Sequence, residues 1–485
     1  MGKPKQFTRP PPKKTKARSE PQTADEFQEA ADVEEETGGK WRAGDPAKSG
    51  RAFVRALEIY DRGLQKHPKS FDLAYNKARL ELEITQRPAL VKHIGLPVVD
   101  LLKQTMGSHR FALRLDEGNA DVLFNTAQVL CSLAEQLSEG DDVSHAIRLL
   151  QEALELLSAC LSRQEMLLEQ QQADFGDAEA GGIALDPDET AASSAGSEQS
   201  VQTVTIEAPV TANDLLDTVQ ASLSALTTLV TLVERHALDA LGDMAQSLTE
   251  DKAPIYLRML GEGDQGHAQL VLALARASFV STFANAQFDA YLVEVDTYLA
   301  RLNDVFRIAN KETDADALTA EAEARTELVL SLLLRNEDDV AELSVDTCWK
   351  QLTLAQQLYT AAAKLDSACT VYLARGDVEM LRHRIAIMPT KGLSDAVRRS
   401  ASTLAQNAQT YYSGAVKLAG ADDVENEEKA ARRLAVVARM RSSLYGIEMP
   451  VSVGGGVDVL QALEECVEDG LLDAMLADKL ANMSA

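Results

Sequence analysis

The chain has 485 residues and a formal charge of −27, from 48 Lys and Arg against 75 Asp and Glu. That balance argues against nucleic-acid phosphate as a direct partner of the folded body and points to a basic protein instead, although solubility alone explains the same charge. The five cysteines, Cys131, Cys160, Cys348, Cys369 and Cys466, form no CxxC pair, so they read as free thiols in a reducing compartment, with neither disulfides nor bound metal expected.

Residues 1–40 are expected to be a disordered arm, basic and proline-rich up to Arg18 and acidic from Asp25 to Glu36, since neither half offers a core. The basic part has the composition of a nuclear localisation signal or a phosphate-contacting tail. From Asp45 the pattern is helix after helix. Ala56, Tyr60 and Gly63 set small residues around one aromatic on a helix face, and Pro68 stops that helix because it cannot donate a backbone hydrogen bond. A second helix follows from Ser70. The same spacing returns at Ala146, Leu150, Ala153 and Leu154, at Ala355, Tyr359 and Ala362, and at Ala408, Tyr412 and Ala415. The segment from Asn119 to Ala127 parallels Ser70 to Ala78, with Asp, aromatic, Asn and Ala in register.

Helices are predicted near 47–67, 70–86, 91–115, 119–138, 142–172, 213–248, 267–284, 287–311, 314–334, 336–365, 367–388, 394–418, 422–446 and 457–482. Thr313 with Asp316 has the spacing of a reciprocal cap, and Ser394 is placed to open the helix after Gly392. Residues 173–212 form an acidic, flexible insertion, because residues 164–200 carry nine acidic side chains and no basic one. Four segments follow: the arm 1–40, repeats over 41–172, the insertion 173–212 and further repeats over 213–485. No apolar run is expected to span a membrane, since 213–236 is punctuated by Asp217, Thr218, Ser222, Ser224, Thr227 and Thr228. The N-terminus has no apolar signal-peptide core, which places the chain in the cytoplasm or nucleus.

These repeated patterns resemble the tetratricopeptide (TPR) family, clearly over residues 46–157 and more weakly over 336–420. The motif is degenerate, with Ala78 and Ala127 where the family has glycine and Glu117 where Pro68 has its counterpart. The resemblance implies an all-α, TPR-type α-solenoid of helical hairpins. It also implies that the first helix of each hairpin lines a concave groove, which by register assigns Asp72, Tyr75, Asn76 and Arg79, then Asp121, Phe124, Asn125 and Gln128 as client-binding candidates. Asn76 and Asn125 are the sharpest, because an amide both donates to and accepts from a peptide backbone; the competing reading is that they tie neighbouring helices together. The family's carboxylate clamp needs Lys and a second Asn where Tyr75, Arg79, Phe124 and Gln128 stand, which argues against a chaperone's C-terminal tail as ligand.

No catalytic constellation stands out, and no cofactor is expected. Gly261, Gly263 and Gly266 match GxGxxG, but Glu262 and Asp264 repel a pyrophosphate and long helices lie on both sides, so the stretch reads as an inter-helix loop. Gly454-Gly455-Gly456 reads as a joint, and Asn482-Met483-Ser484 as a chance sequon. The expected function is a non-enzymatic protein-binding scaffold. Its architecture is similar to uncharacterised fungal TPR proteins and to acidic TPR assembly chaperones, which implies escort of a basic client such as a ribosomal protein or histone. The alternative is a constitutive subunit of a larger complex.

Overall fold

The computed structural model describes residues 20–138, 140, 142–180, 209–335, 344–389, 393–420, 423–447 and 457–482. Regular structure among them is entirely helical, and the chain divides into two compact units, Met1–Gly118 and Asn119–Ala485. Residues 1–19, most of the acidic insertion and the Gly454–Gly456 joint lie outside the described residues.

Unit 1 holds α1 (Ala24–Trp41), α2 (Pro46–Lys66), α3 (Phe71–Thr85), α4 (Pro88–Ile94) and α5 (Val98–Leu115). The first of these overturns an expectation: the acidic half of the supposed disordered arm is a packed helix. Thr23 and Glu26 form a reciprocal capping box that satisfies donors at its start. Phe27, Ala31 and Gly38 share one buried face, while Glu29, Asp32 and Glu36 take the exposed one, so a high average charge hid an amphipathic pattern. α1 forms a hairpin with α2. Ala56, Tyr60 and Gly63 are buried between them, and a Cβ on Gly63 would come within 3.1 Å of Phe27 and 3.0 Å of Leu73. The small residue there is what lets Phe27 approach α2 closely. The single helix predicted over 91–115 is broken between α4 and α5, where Gly95 takes a left-handed conformation (φ 79°) and Pro97 follows.

Unit 2 begins with the hairpin α6 (Ala120–Ser138) and α7 (Val143–Ala180), and α7 runs eight residues beyond the expected helix end at 172. α8 (Ala212–Leu232) ends at an extended Val233, so the predicted helix 213–248 is two. α9 (Leu238–Gln246) continues through a widened π turn, Ser247–Lys252, into α10 (Ala253–Met259). The wide turn precedes Pro254, whose ring and missing N–H disturb regular α-helical bonding. α11 (Glu262–Asp289) starts at Gly261, so the GxGxxG stretch is a helix N-terminus rather than a loop. α12 (Val295–Val305) is short, and α13 (Ala315–Arg335) is capped by Asp314, which accepts from the Ala317 N–H at 2.8 Å, not by Thr313. Then come α14 (Val345–Leu365), α15 (Cys369–Ile387), α16 (Asp395–Leu418), α17 (Val424–Tyr445), α18 (Val459–Glu468) and α19 (Ala474–Ala481). Ser394 caps α16 through the Val397 N–H. Helices close in sequence pack against one another, among them α6 with α7, α13 with α14, α14 with α15, and α15 with α16, an α-solenoid arrangement. The recurrent small and large positions, Ala146, Leu150 and Ala153, then Ala355, Tyr359 and Ala362, then Ala408, Tyr412 and Ala415, are buried.

One composition reading needs correction. α8 is long and apolar enough to cross a membrane by length and mean hydropathy, despite its polar punctuation, and just over half of its apolar window is buried in the unit.

Candidate functional site

In unit 2 the alternate helices α6, α8, α11 and α13 share one face, and three adjoining depressions of about 400, 440 and 400 Å³ run across it. The first lies between α6 and α8, lined by Phe124, Gln128, Cys131, Glu135 and Asp217. It shares Gln220 and Ser224 with the second, which passes over Ser278 to Asp316 and Ala320. The third shares Ser278 and Ala320 with the second and ends at Asn285, Glu323 and Glu327. Together they make a trough.

Helix periodicity aims these side chains. On α8, Leu215, Leu216, Val219, Leu223 and Leu226 are buried, which turns Asp217, Gln220 and Ser224 outward at i, i+3 and i+7. The Thr211–Asp214 capping box starts that helix one turn earlier. On α13, burial of Ala317, Leu318, Ala322 and Leu328 leaves Asp316, Ala320, Glu323 and Glu327 as one stripe. Small side chains, among them Ala221, Ser224, Thr228, Ala275 and Ser278, form the floor.

The charge of the trough is one-sided. Glu135, Asp217, Asp316, Glu323 and Glu327 line it, and among the described residues no Lys, Arg or His does. The contrast with Glu321, two residues from Glu323, is informative: Glu321 is buried on the other side of α13 and bonds both Arg325, at 2.6 Å, and Lys311, at 2.5 Å. Glu135, Asp217, Glu323 and Glu327 are exposed, yet the walls strip part of their hydration. Burial thus raises the pKa of Glu135 and Glu323 above the ordinary carboxylate range, that of Asp217 with help from Asp214, and that of Glu327 with help from Asp289. Cys131 is pushed up to about 12, by burial and then by Glu135, which keeps it a protonated thiol near neutral pH. No cluster of three His, Cys, Asp or Glu suited to a metal ion occurs among the described residues.

The candidates assigned by register separate into two groups. Phe124 and Gln128 line the first depression; Asp121 is exposed on the same helix, its pKa raised by burial and by Asp214; Asn125 is half-buried and outside the lining. In unit 1, Asp72 is exposed and Tyr75 stacks on Phe71 with ring centroids 5.8 Å apart. Asn76 donates from Nδ2 to Gln28 Oε1 at 3.1 Å, and Arg79 pairs with Glu35, so both are engaged by α1. Sequence reasoning missed Glu135, Asp217, Asp316, Glu323 and Glu327. The signal available was the stripe Asp316, Ala320, Glu323, Glu327 at helical spacing opposite an apolar face.

Fold and site together define an all-α helical-repeat protein with an acidic trough. No protein-family model matches the chain. It is 38% identical over 154 residues to a UPF0656 protein of Schizosaccharomyces pombe, a match covering 32% of this chain and 33% of that one. The chain thus spans about a third of the length of the curated relative it matches. Among solved structures, it is similar to the S. pombe nuclear import adaptor Nro1, with 12% identity, a TM-score of 0.30, and coverage of 84% of this chain and 99% of that one. It is also similar to a circular tandem repeat protein of novel repeat topology, with 14% identity, a TM-score of 0.24, and coverage of 95% and 94%.

Proposed function

We propose that the chain is a TPR-type protein-binding scaffold, without enzymatic activity, whose unit 2 trough holds a basic, extended segment of a client protein. One observation carries the reading: five carboxylates line three adjoining depressions with no cation among them. Glu135, Asp217, Glu323 and Glu327, partly desolvated, are relieved when lysine or arginine side chains enter, and the small side chains leave room for a backbone. The formal charge of −27 steers such a client toward the surface before contact. Escort of a newly made basic protein, such as a ribosomal protein or histone, in the cytoplasm or nucleus fits this chemistry. A constitutive subunit of a larger complex is the alternative, and salt separates the two: a client held by charge leaves as ionic strength rises, whereas an apolar permanent interface persists.

The test is binding of a fluorescent, lysine-rich extended peptide to the full chain and to the Asp217→Asn, Glu323→Gln, Glu327→Gln triple variant across a salt series. The triple variant should bind at least tenfold more weakly, with a shallower salt dependence. Unchanged affinity in a folded triple variant sinks the proposal.

A further inference from the structure

The opposite face of α11 carries a second concavity of different chemistry. Val271, Leu274, Ala275 and Ser278 of α11 face the trough, whereas Gly266, Leu270, Ala273, Arg276 and Val280, at helical spacing, face a cleft of about 500 Å³ bounded by α10 and α12. Leu257 of α10, Val305 at the end of α12 and Ile308 beyond it add apolar side chains, interspersed with Thr249, Gln269 and Asn310. One wall of the cleft is short: α12 has 11 residues, while the later α14 and α16 have 21 and 24. The α11 stripe from Gly266 to Val280 is about 21 Å long at 1.5 Å per residue, against about 15 Å for the 11 residues of α12.

The rim has the reverse polarity of the trough. Arg276, Arg301 and Arg307 line it against one carboxylate, Asp304. Arg276 and Arg307 are exposed and hold only loose pairs, with Glu250 at 3.8 Å and Asp304 at 3.5 Å, weak interactions that an incoming carboxylate can displace. From the short α12, the apolar side chains along the α11 stripe and this arginine rim, we infer that the cleft between α10 and α12 docks an amphipathic helix of a partner protein, leucine-rich on one face and acidic along its flanks. Repulsion from the chain's net charge is screened beyond about 8 Å at physiological ionic strength, so the contacts at the rim decide affinity.

The inference is tested with two synthetic 16-residue helical peptides sharing a leucine face at i, i+3, i+4 and i+7, one flanked by glutamates and the other by lysines, each titrated with the full chain by fluorescence anisotropy. The glutamate-flanked peptide should bind saturably and at least tenfold more tightly than its lysine-flanked counterpart. Ala273→Arg, which fills the cleft floor, should weaken it at least tenfold. The double variant Arg276→Glu, Arg307→Glu, changed only at exposed positions, should remove or reverse the preference, and Glu323→Gln with Glu327→Gln in the trough should leave it unchanged. Equal affinity for the two peptides, binding indifferent to both cleft variants, or no saturable binding of the glutamate-flanked peptide overturns the inference.

Discussion

Asn76 on α3 donates its amide to Gln28 on α1 at 3.1 Å, and Gln28 in turn donates to the Tyr60 hydroxyl at 3.2 Å. One amide pair thus joins α1, α2 and α3 at the position where a groove-facing asparagine was expected to meet a client. Tyr60 extends the tie by donating to Glu35 at 2.6 Å. Asn76→Ala should therefore lower unfolding stability by about 1 kcal/mol, the usual worth of a part-buried hydrogen bond. Urea denaturation measures it. An unchanged midpoint with weakened peptide binding would restore the client-contact role.

Phe27 fastens α1 to the unit. It is 1% exposed, lies over Gly63, and has the Lys66 ammonium 5.2 Å from its ring centre. Phe27→Ala should cost about 3–5 kcal/mol, the range for a large aromatic removed from a core. Limited proteolysis should then cut between α1 and α2. Wild-type protease resistance of the variant would mean that α1 contributes little to the fold.

Glu323 and Glu327 couple the trough to pH. Their folded-state pKa values are raised, so the folded protein binds protons more readily than the unfolded chain as pH falls from neutrality. Their ionisation therefore costs stability above the raised pKa, and the cost vanishes below the ordinary carboxylate range, where both states are protonated. Glu323→Gln with Glu327→Gln should raise Tm at pH 7 and give no gain at pH 3, while weakening a basic peptide at pH 7. A lower Tm at pH 7 would show that these carboxylates stabilise the free fold.

Gly376 of α15 lies against Tyr412 of α16, and a Cβ at that glycine would fall 2.3 Å from the tyrosine ring. Tyr412 is fully buried and donates to Asp377 at 2.7 Å, so it cannot withdraw without breaking that bond. Gly376→Ala should destabilise the protein by at least the 1–3 kcal/mol typical of overpacking, about the upper end here because a hydrogen bond goes with it. Thermal melts of Gly376→Ala and Tyr412→Phe check this; a wild-type Tm for Gly376→Ala would mean that the two helices separate freely.

The helical hairpins were legible because their code is local. Alanine and glycine beside Tyr60, Tyr359 and Tyr412 specify close helix contacts, and Ser394 specifies a helix start, all within a few turns of chain. α1 was not legible, because its apolar face is only Phe27, Ala31 and Gly38 amid acidic residues, and it acquires meaning once Gly63 and Leu73 are beneath it. The same holds for the trough. With 75 acidic residues in the chain, nothing local distinguishes Glu321, which meets Arg325 and Lys311, from Glu323, which faces an opening without a cation. Pairing is a property of which distant side chains share a space, and the rotation of α13 against α8 and α11 assigns one carboxylate to the core and its neighbour to the trough.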